Sequence, residues 1–148
     1  MGVVVWLGRG AGDCESESRV NDPAKWLTSN RPLLPSSGDA LDLACGSGRH
    51  AIWLAEQGFL TLAVDRDIVA IDTLTHESRR RGLSIQARAV DLENGGPFLK
   101  ADSFDLIVVV HYLHRPLMPA LVSAVRPGGV LVYETFTRAQ AARGRPTN

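Results

Sequence analysis

From residue 39 onward, short aliphatic runs alternate with stretches in which apolar positions recur every three or four residues. The runs at 40–44, 60–65, 84–90, 104–110 and 130–135 are rich in Val, Ile, Leu and Ala, a composition that suits strands covered on both faces. Between them, 49–57 and 68–81 carry a helical period, and each stops at a glycine, Gly58 and Gly82, suited to the left-handed closing position of a helix. A third helix is expected over about 115–125. Met118, Leu121, Val122 and Val125 mark its buried face, and Pro116 and Pro119 fit only its first turn. Strands alternating with crossover helices predict an α/β fold, a doubly wound and mostly parallel sheet.

Upstream, Asp22 followed by Pro23 predicts a short capped helix through Trp26 and Leu27 that ends before Arg31 and Pro32. Residues 1–20 begin apolar, turn Gly-rich and acidic, and sustain neither period; a poorly ordered tail is expected there, with one domain over 21–148. The size of the chain, 148 residues with 45% apolar and 22% charged, agrees with one core-forming unit. Sixteen basic residues balance sixteen acidic ones, so no overall field draws the chain to nucleic acid or an anionic membrane. Two cysteines, Cys14 and Cys45, make neither a disulfide framework nor a metal-ligand spacing, and no apolar run reaches the length of about 20 residues that a membrane helix needs. A cytoplasmic protein without nucleic-acid or membrane partners is the expectation.

The first strand of the alternating region runs into Asp42-Leu43-Ala44-Cys45-Gly46-Ser47-Gly48 and then a helix. A Gly-rich turn at a strand's carboxyl end lets a ligand approach the backbone, with amides at the helix start to meet it. Asp42 argues about which ligand. A carboxylate beside the loop repels a pyrophosphate and prefers a cation. Asp65 ends the second strand at about the spacing from which a carboxylate reads ribose hydroxyls, and Asp91 ends the third. Acids at three successive strand ends suit a nucleoside joined to a cationic, zwitterionic tail, as in S-adenosylmethionine. On this reading Asp42 faces the amino-acid end, Asp65 the ribose and Asp91 the adenine amino group. The alternatives are turn and helix capping: Asp42 for the glycine loop, Asp65 with Asp67 for the following helix, Asp91 for the turn after it.

The segments LDLACGSGRHA, AVDRD, VDLENG, FDLIVVVHYLHRPL and RPGGVLVYETFT resemble, in order and spacing, the successive motifs of class I S-adenosylmethionine-dependent methyltransferases, and more closely their tellurite-resistance-like branch. The resemblance covers about residues 24–148. It implies strand order 3-2-1-4-5, cofactor across the carboxyl ends of strands 1 and 2, and a small-molecule acceptor beyond strand 4. It also implies that Asp42, Ala44, Gly46, Gly48, Asp65, Arg66, Asp91, Leu92, Val110 and His111 line the cofactor. Ala44 stands where the common motif has its first glycine, and only twelve residues follow Phe136, so the family's last helix and two strands are expected to be missing. A chain truncated after strand 5 would expose that strand as an edge, a surface for homodimer pairing.

Methyl transfer from a sulfonium is an in-line displacement with a neutral leaving group, so alignment carries most of the catalysis. A base matters where the acceptor must lose a proton, and His111, Tyr112 and His114 after strand 4 are the candidates, with Tyr133 and Glu134 behind them. The i, i+3 spacing of His111 and His114 lacks a third ligand nearby, so no metal is expected. Cys45 has no base beside it and reads as packing. Trp53 reads as core, Trp26 either as an anchor of the first helix or as a cover of the cofactor mouth, and Arg79, Arg80 and Arg81 as cations closing a helix. Two rivals stay open: a nicotinamide-dependent oxidoreductase, opposed by the incomplete glycine pattern and by Asp42, and a cofactor-binding remnant without turnover.

Overall fold

The computed structural model describes residues 22–94 and 99–135. The expected tail at 1–20 lies outside the described residues, as do Arg138, Arg143 and Arg145, basic positions of an acid-free stretch near the end of the sequence. Within them the chain runs α1 (Lys25–Ser29), β1 (Gly38–Leu43), α2 (Arg49–Glu56), β2 (Phe59–Asp65), α3 (Ile68–Arg81), β3 (Ile85–Ala89), β4 (Phe104–Val110), α4 (Met118–Ala124) and β5 (Val125–Glu134), with short 3₁₀ turns at Arg31–Leu33 and Arg115–Leu117. The sheet order is β3-β2-β1-β4-β5, every pairing parallel, as the resemblance implied.

Right-handed crossovers decide which helix covers which face. Leu41, Leu43, Ile107, Val109, Leu131 and Tyr133 point to one face and meet Leu121 and Ala124 of α4. Ala40, Phe59, Leu106, Val108 and Val132 point to the other, against Leu27 of α1 and Leu54 of α2, while Ala63 meets Ile71 and Leu74 of α3. The winding reverses between β1 and β4. In an open α/β sheet that reversal opens a crevice at the carboxyl ends of the strands.

Local chemistry moves several boundaries. Asp22 does not cap α1: the N-cap is Ala24, without a side-chain bond, and its N–H donates instead to Nε2 of His50, 3.1 Å away on α2. Trp26 and Trp53 pack against the cluster under α1 and α2, which makes Trp26 an anchor. β1 starts at Gly38, where φ is +124° and a side chain would collide with the Asp105 carboxylate. The third expected helix opens as a 3₁₀ turn at Pro116 and becomes α-helical only at Met118. Val122, expected on its buried face, is 45% exposed, and Ala124 is buried instead. β5 begins at Val125, five residues earlier than expected, because the Pro127-Gly128-Gly129 segment is absorbed as an irregularity between the Phe104–Val125 and Leu106–Val130 pairs. Arg80 and Arg81 both bond Glu77 near the end of α3, as solvated helix-end cations do.

Candidate active site

The loop after β1 is strained. Ala44 has φ +57° and His111, at the end of adjacent β4, has φ +58°. Left-handed backbone costs a residue with a side chain roughly 1–2 kcal/mol, and such outliers gather where a fold holds a functional geometry. Gly48, the N-cap of α2 with φ +88°, lies so close to Leu74 that a side chain there would overlap it. The glycine therefore lets α2 and α3 pack beneath the loop.

The acids then organise the loops around this crevice. Asp65 accepts from the Gly46 N–H at 2.8 Å through one oxygen and from the Asp67 N–H at 2.9 Å through the other, so it ties the loop after β1 to the start of α3. Asp67 caps α3 through the Val69 and Ala70 amides. Asp91 accepts from the amides of Glu93 and Asn94 at 3.0 and 3.1 Å, and from the Asn94 side chain. Those bonds, the Glu93 amide first, hold its carboxyl below the ordinary range.

Between these loops lies a cavity of about 320 Å³ lined by Ala44, Asp65, Arg66, Asp91, Leu92, Glu93, Tyr112 and Leu113. Leu92, Tyr112 and Leu113 also pack on the central core cluster, so the apolar wall of the cavity is continuous with the core. The Tyr112 hydroxyl is buried without a hydrogen-bond partner among the described residues. Burial first, then the charge of Glu93, pushes its pKa up, which keeps it a protonated donor and a poor base at neutral pH. An orphaned hydroxyl beside two acids and an apolar wall suits an adenosine-like ligand: apolar faces, hydroxyls and an amino group.

The structure thus brings Ala44, Asp65, Arg66, Asp91, Leu92 and Tyr112 together around one space. Gly46 contributes through its amide to Asp65. Gly48, Val110, His111 and His114 do not line this cavity; Val110 ends β4 beside the β1 loop with His111 directly after it, and His114 carries the main chain that lies against the Tyr133 hydroxyl. Asp42 is placed differently from the expectation. As a β1 residue of the Ala40 register it points under the loop toward α2, is 1% exposed, does not line the cavity, and leaves one oxygen without a partner among the described residues. Burial raises its pKa to about 7, with the Ala51 amide and Arg49 pulling the other way. Burial also pushes the Cys45 thiol up, consistent with a packing role. Glu93 and Leu113 were not singled out from sequence; their positions, next to Asp91-Leu92 and Tyr112, were the available signal.

Farther toward β5 stand His111 and Glu134. The His111 N–H donates to the Glu134 carbonyl at 2.7 Å, and its Nε2 lies 3.9 Å from the Glu134 carboxylate, which is 3% exposed. His50, behind them, is held neutral: burial first, then Arg49 and His111, lowers its pKa to about 3. No His, Cys, Asp and Glu group suited to a metal occurs among the described residues, and no described helix is long and apolar enough to cross a membrane.

Comparison with known proteins agrees with this architecture. The methyltransferase domain family matches residues 40–129. A ubiquinone biosynthesis O-methyltransferase of Rickettsia prowazekii is 30% identical over 105 residues, covering 69% of this chain and 41% of that protein. Glycine N-methyltransferase of Mus musculus is 28% identical over 141 residues, covering 81% and 47% respectively. Among solved structures, an S-adenosylmethionine-dependent methyltransferase from Mesorhizobium loti superimposes with a TM-score of 0.56 at 28% identity, over 69% of this chain and 48% of that one. The chain spans less than half the length of each of these three relatives.

Proposed function

The chain belongs to the methyltransferase domain family, and from that premise we propose that it transfers the methyl group of S-adenosylmethionine to a small-molecule acceptor. The observation that carries this reading is the cavity at the carboxyl ends of the sheet, where Asp65 and Asp91 face the same space as the orphaned Tyr112 hydroxyl. Asp65 would take the ribose hydroxyls with its remaining lone pairs. Asp91 would take the adenine amino group, Leu92 and Leu113 the ring faces, and Tyr112 a polar edge of the nucleoside. Asp42, buried beneath the glycine loop with the Ala51 amide of α2 as its partner, would support that loop from behind, where the amino-acid end would lie. When bound, the sulfonium supplies the methyl group and departs as a neutral thioether; the protein's task is to align it with the acceptor.

His111 and His114, on the segment leaving β4, belong to the acceptor side of this proposal. Membership in the tellurite-resistance-like branch rests on the order of the quoted motifs alone, and a chalcogen oxyanion is one acceptor it would suggest. The outer edge of β5 carries no neighbouring strand among the described residues, and pairing of two chains along it is the homodimer reading.

Isothermal titration with S-adenosylmethionine and S-adenosylhomocysteine, with NAD as control, tests the cofactor. Micromolar binding of both adenosyl compounds and none of NAD is expected. Binding of NAD alone would replace the proposal with the oxidoreductase reading, which the incomplete glycine pattern of Ala44, Gly46 and Gly48 opposes.

A further inference from the structure

Glu134 is a carboxylate almost removed from water, at the last residue of β5, paired in register with Val110, and His111, the residue after Val110, donates its N–H to the Glu134 carbonyl. Three features set this pair apart from ordinary packing. His111 is one of only three non-glycine residues with positive φ among the described residues, so the fold holds its side chain in a direction that an extended backbone would not give. That conformation is fixed by the 2.7 Å bond from the His111 N–H to the Glu134 carbonyl. The same two residues then approach a second time through their side chains, Nε2 to carboxylate at 3.9 Å, a separation that tightens to a hydrogen bond in many catalytic sites once ligand is present. The imidazole keeps 39% of its surface exposed while the carboxylate keeps 3%. One partner is therefore reachable by an acceptor and the other is not.

We infer that Glu134 is a positioning residue that holds His111 as the general base for methyl transfer, and that the acceptor attacks through an oxygen or nitrogen still carrying a proton at neutral pH. This rests on the methyltransferase reading above and names its substrate class: a hydroxyl, phenol or ammonium compound rather than an oxyanion that attacks through a lone pair already free. With Nε2–H turned to the carboxylate, Nδ1 is the basic atom. The acceptor's proton passes to Nδ1 as its oxygen or nitrogen bonds the methyl carbon, and the electron pair of the broken methyl–sulfur bond stays on sulfur. The resulting imidazolium is stabilised by the Glu134 carboxylate. From α2, His50 also faces His111, but it is neutral across the working range, its pKa lowered to about 3 chiefly by burial, and so does not oppose that charge.

Nitrogen-detected NMR of the ligand-free full chain tests the assignment without any turnover. In the unaltered protein, neutral His111 should carry its proton on Nε2, and its titration midpoint should fall by about one pH unit in Glu134→Gln and recover in Glu134→Asp. Proton on Nδ1, or a midpoint that does not move in a folded Glu134→Gln chain, would overturn the inference. Because the tautomer is read in the unaltered protein, the test stands even where the variant fails to fold. Loss of adenosyl binding with the His111 behaviour intact would instead overturn the cofactor reading, so the two failures are distinguishable.

Discussion

The two ends of the sheet treat charge in opposite ways. At the amino end, Arg126 bonds both Asp39 and Asp105, at 2.8 and 2.7 Å, and Asp105 also accepts from the Asp39 N–H at 2.9 Å. Acid and base there satisfy each other. At the carboxyl end Asp42, Asp65 and Asp91 form no ion pair among the described residues; they hold backbone amides, the Asn94 side chain or, for one Asp42 oxygen, nothing, and the His111–Glu134 pair there stands at 3.9 Å. The same end carries the orphaned Tyr112 hydroxyl and the left-handed Ala44 and His111. A fold that closes its polar groups at one end and leaves them open, under strain, at the other fits the proposed cofactor site at the carboxyl end and a structural role for the amino end.

The largest effect that sharpens this contrast is on stability. Asp42 binds its proton up to about pH 7 in the folded chain, against an ordinary value of 3.8. Between roughly pH 4 and 7 the folded state therefore keeps a proton that the unfolded chain has released, and stability falls across that window as pH rises, then levels off. Asp42→Asn removes the penalty. Its gain over the unaltered chain should be absent near pH 4 and reach on the order of 4 kcal/mol above pH 7, read from urea midpoints. His50 acts on the acid side, its depressed pKa withdrawing stability as pH falls from about 6.5 toward 3, and it cancels in the difference between the two chains. A pH-independent difference would show that Asp42 is ionised in the fold and that the open end is not strained in this way.

A smaller effect falls on binding. Asp65→Ala should weaken S-adenosylhomocysteine binding by about 1–3 kcal/mol, since ribose hydroxyls would be left unpaired. Arg126→Ala, at the closed end, should leave that affinity unchanged. Equal losses in the two variants would mean that both act through stability and would erase the contrast.

Much of the fold was legible because its elements are locally consistent: aliphatic runs and helical periods agree with the strands and helices that form, and Gly82 takes its αL closing position with φ +65°. What escaped depends on partners far along the chain. The Ala24 amide finds His50, 26 residues away, so the cap proposed for Asp22 had no local contradiction. Val125 joins β5 because Phe104 pairs with it across an irregularity that a Pro-Gly-Gly run hides as a turn. In the site, the acids at three strand ends were visible as spacing, yet spacing does not say that Asp42 points beneath the loop while Asp65 and Asp91 face the cavity; the alternation of β1 against α2 decides that. Both readings of Asp65 and Asp91 also prove compatible. They shape turns with some lone pairs and still face the cavity, a combination that a choice between capping and ligand contact did not allow for.

The most direct test of the central claim is an amide chemical-shift map of the full chain during titration with S-adenosylhomocysteine. The account predicts large shifts at Gly46, Asp67, Glu93, Asn94 and Leu113, the amides around the open end, and none at Asp39, Asp105 and Arg126. Shifts centred on the Arg126 end, or a carboxyl end that stays unmoved at saturating ligand, would contradict it.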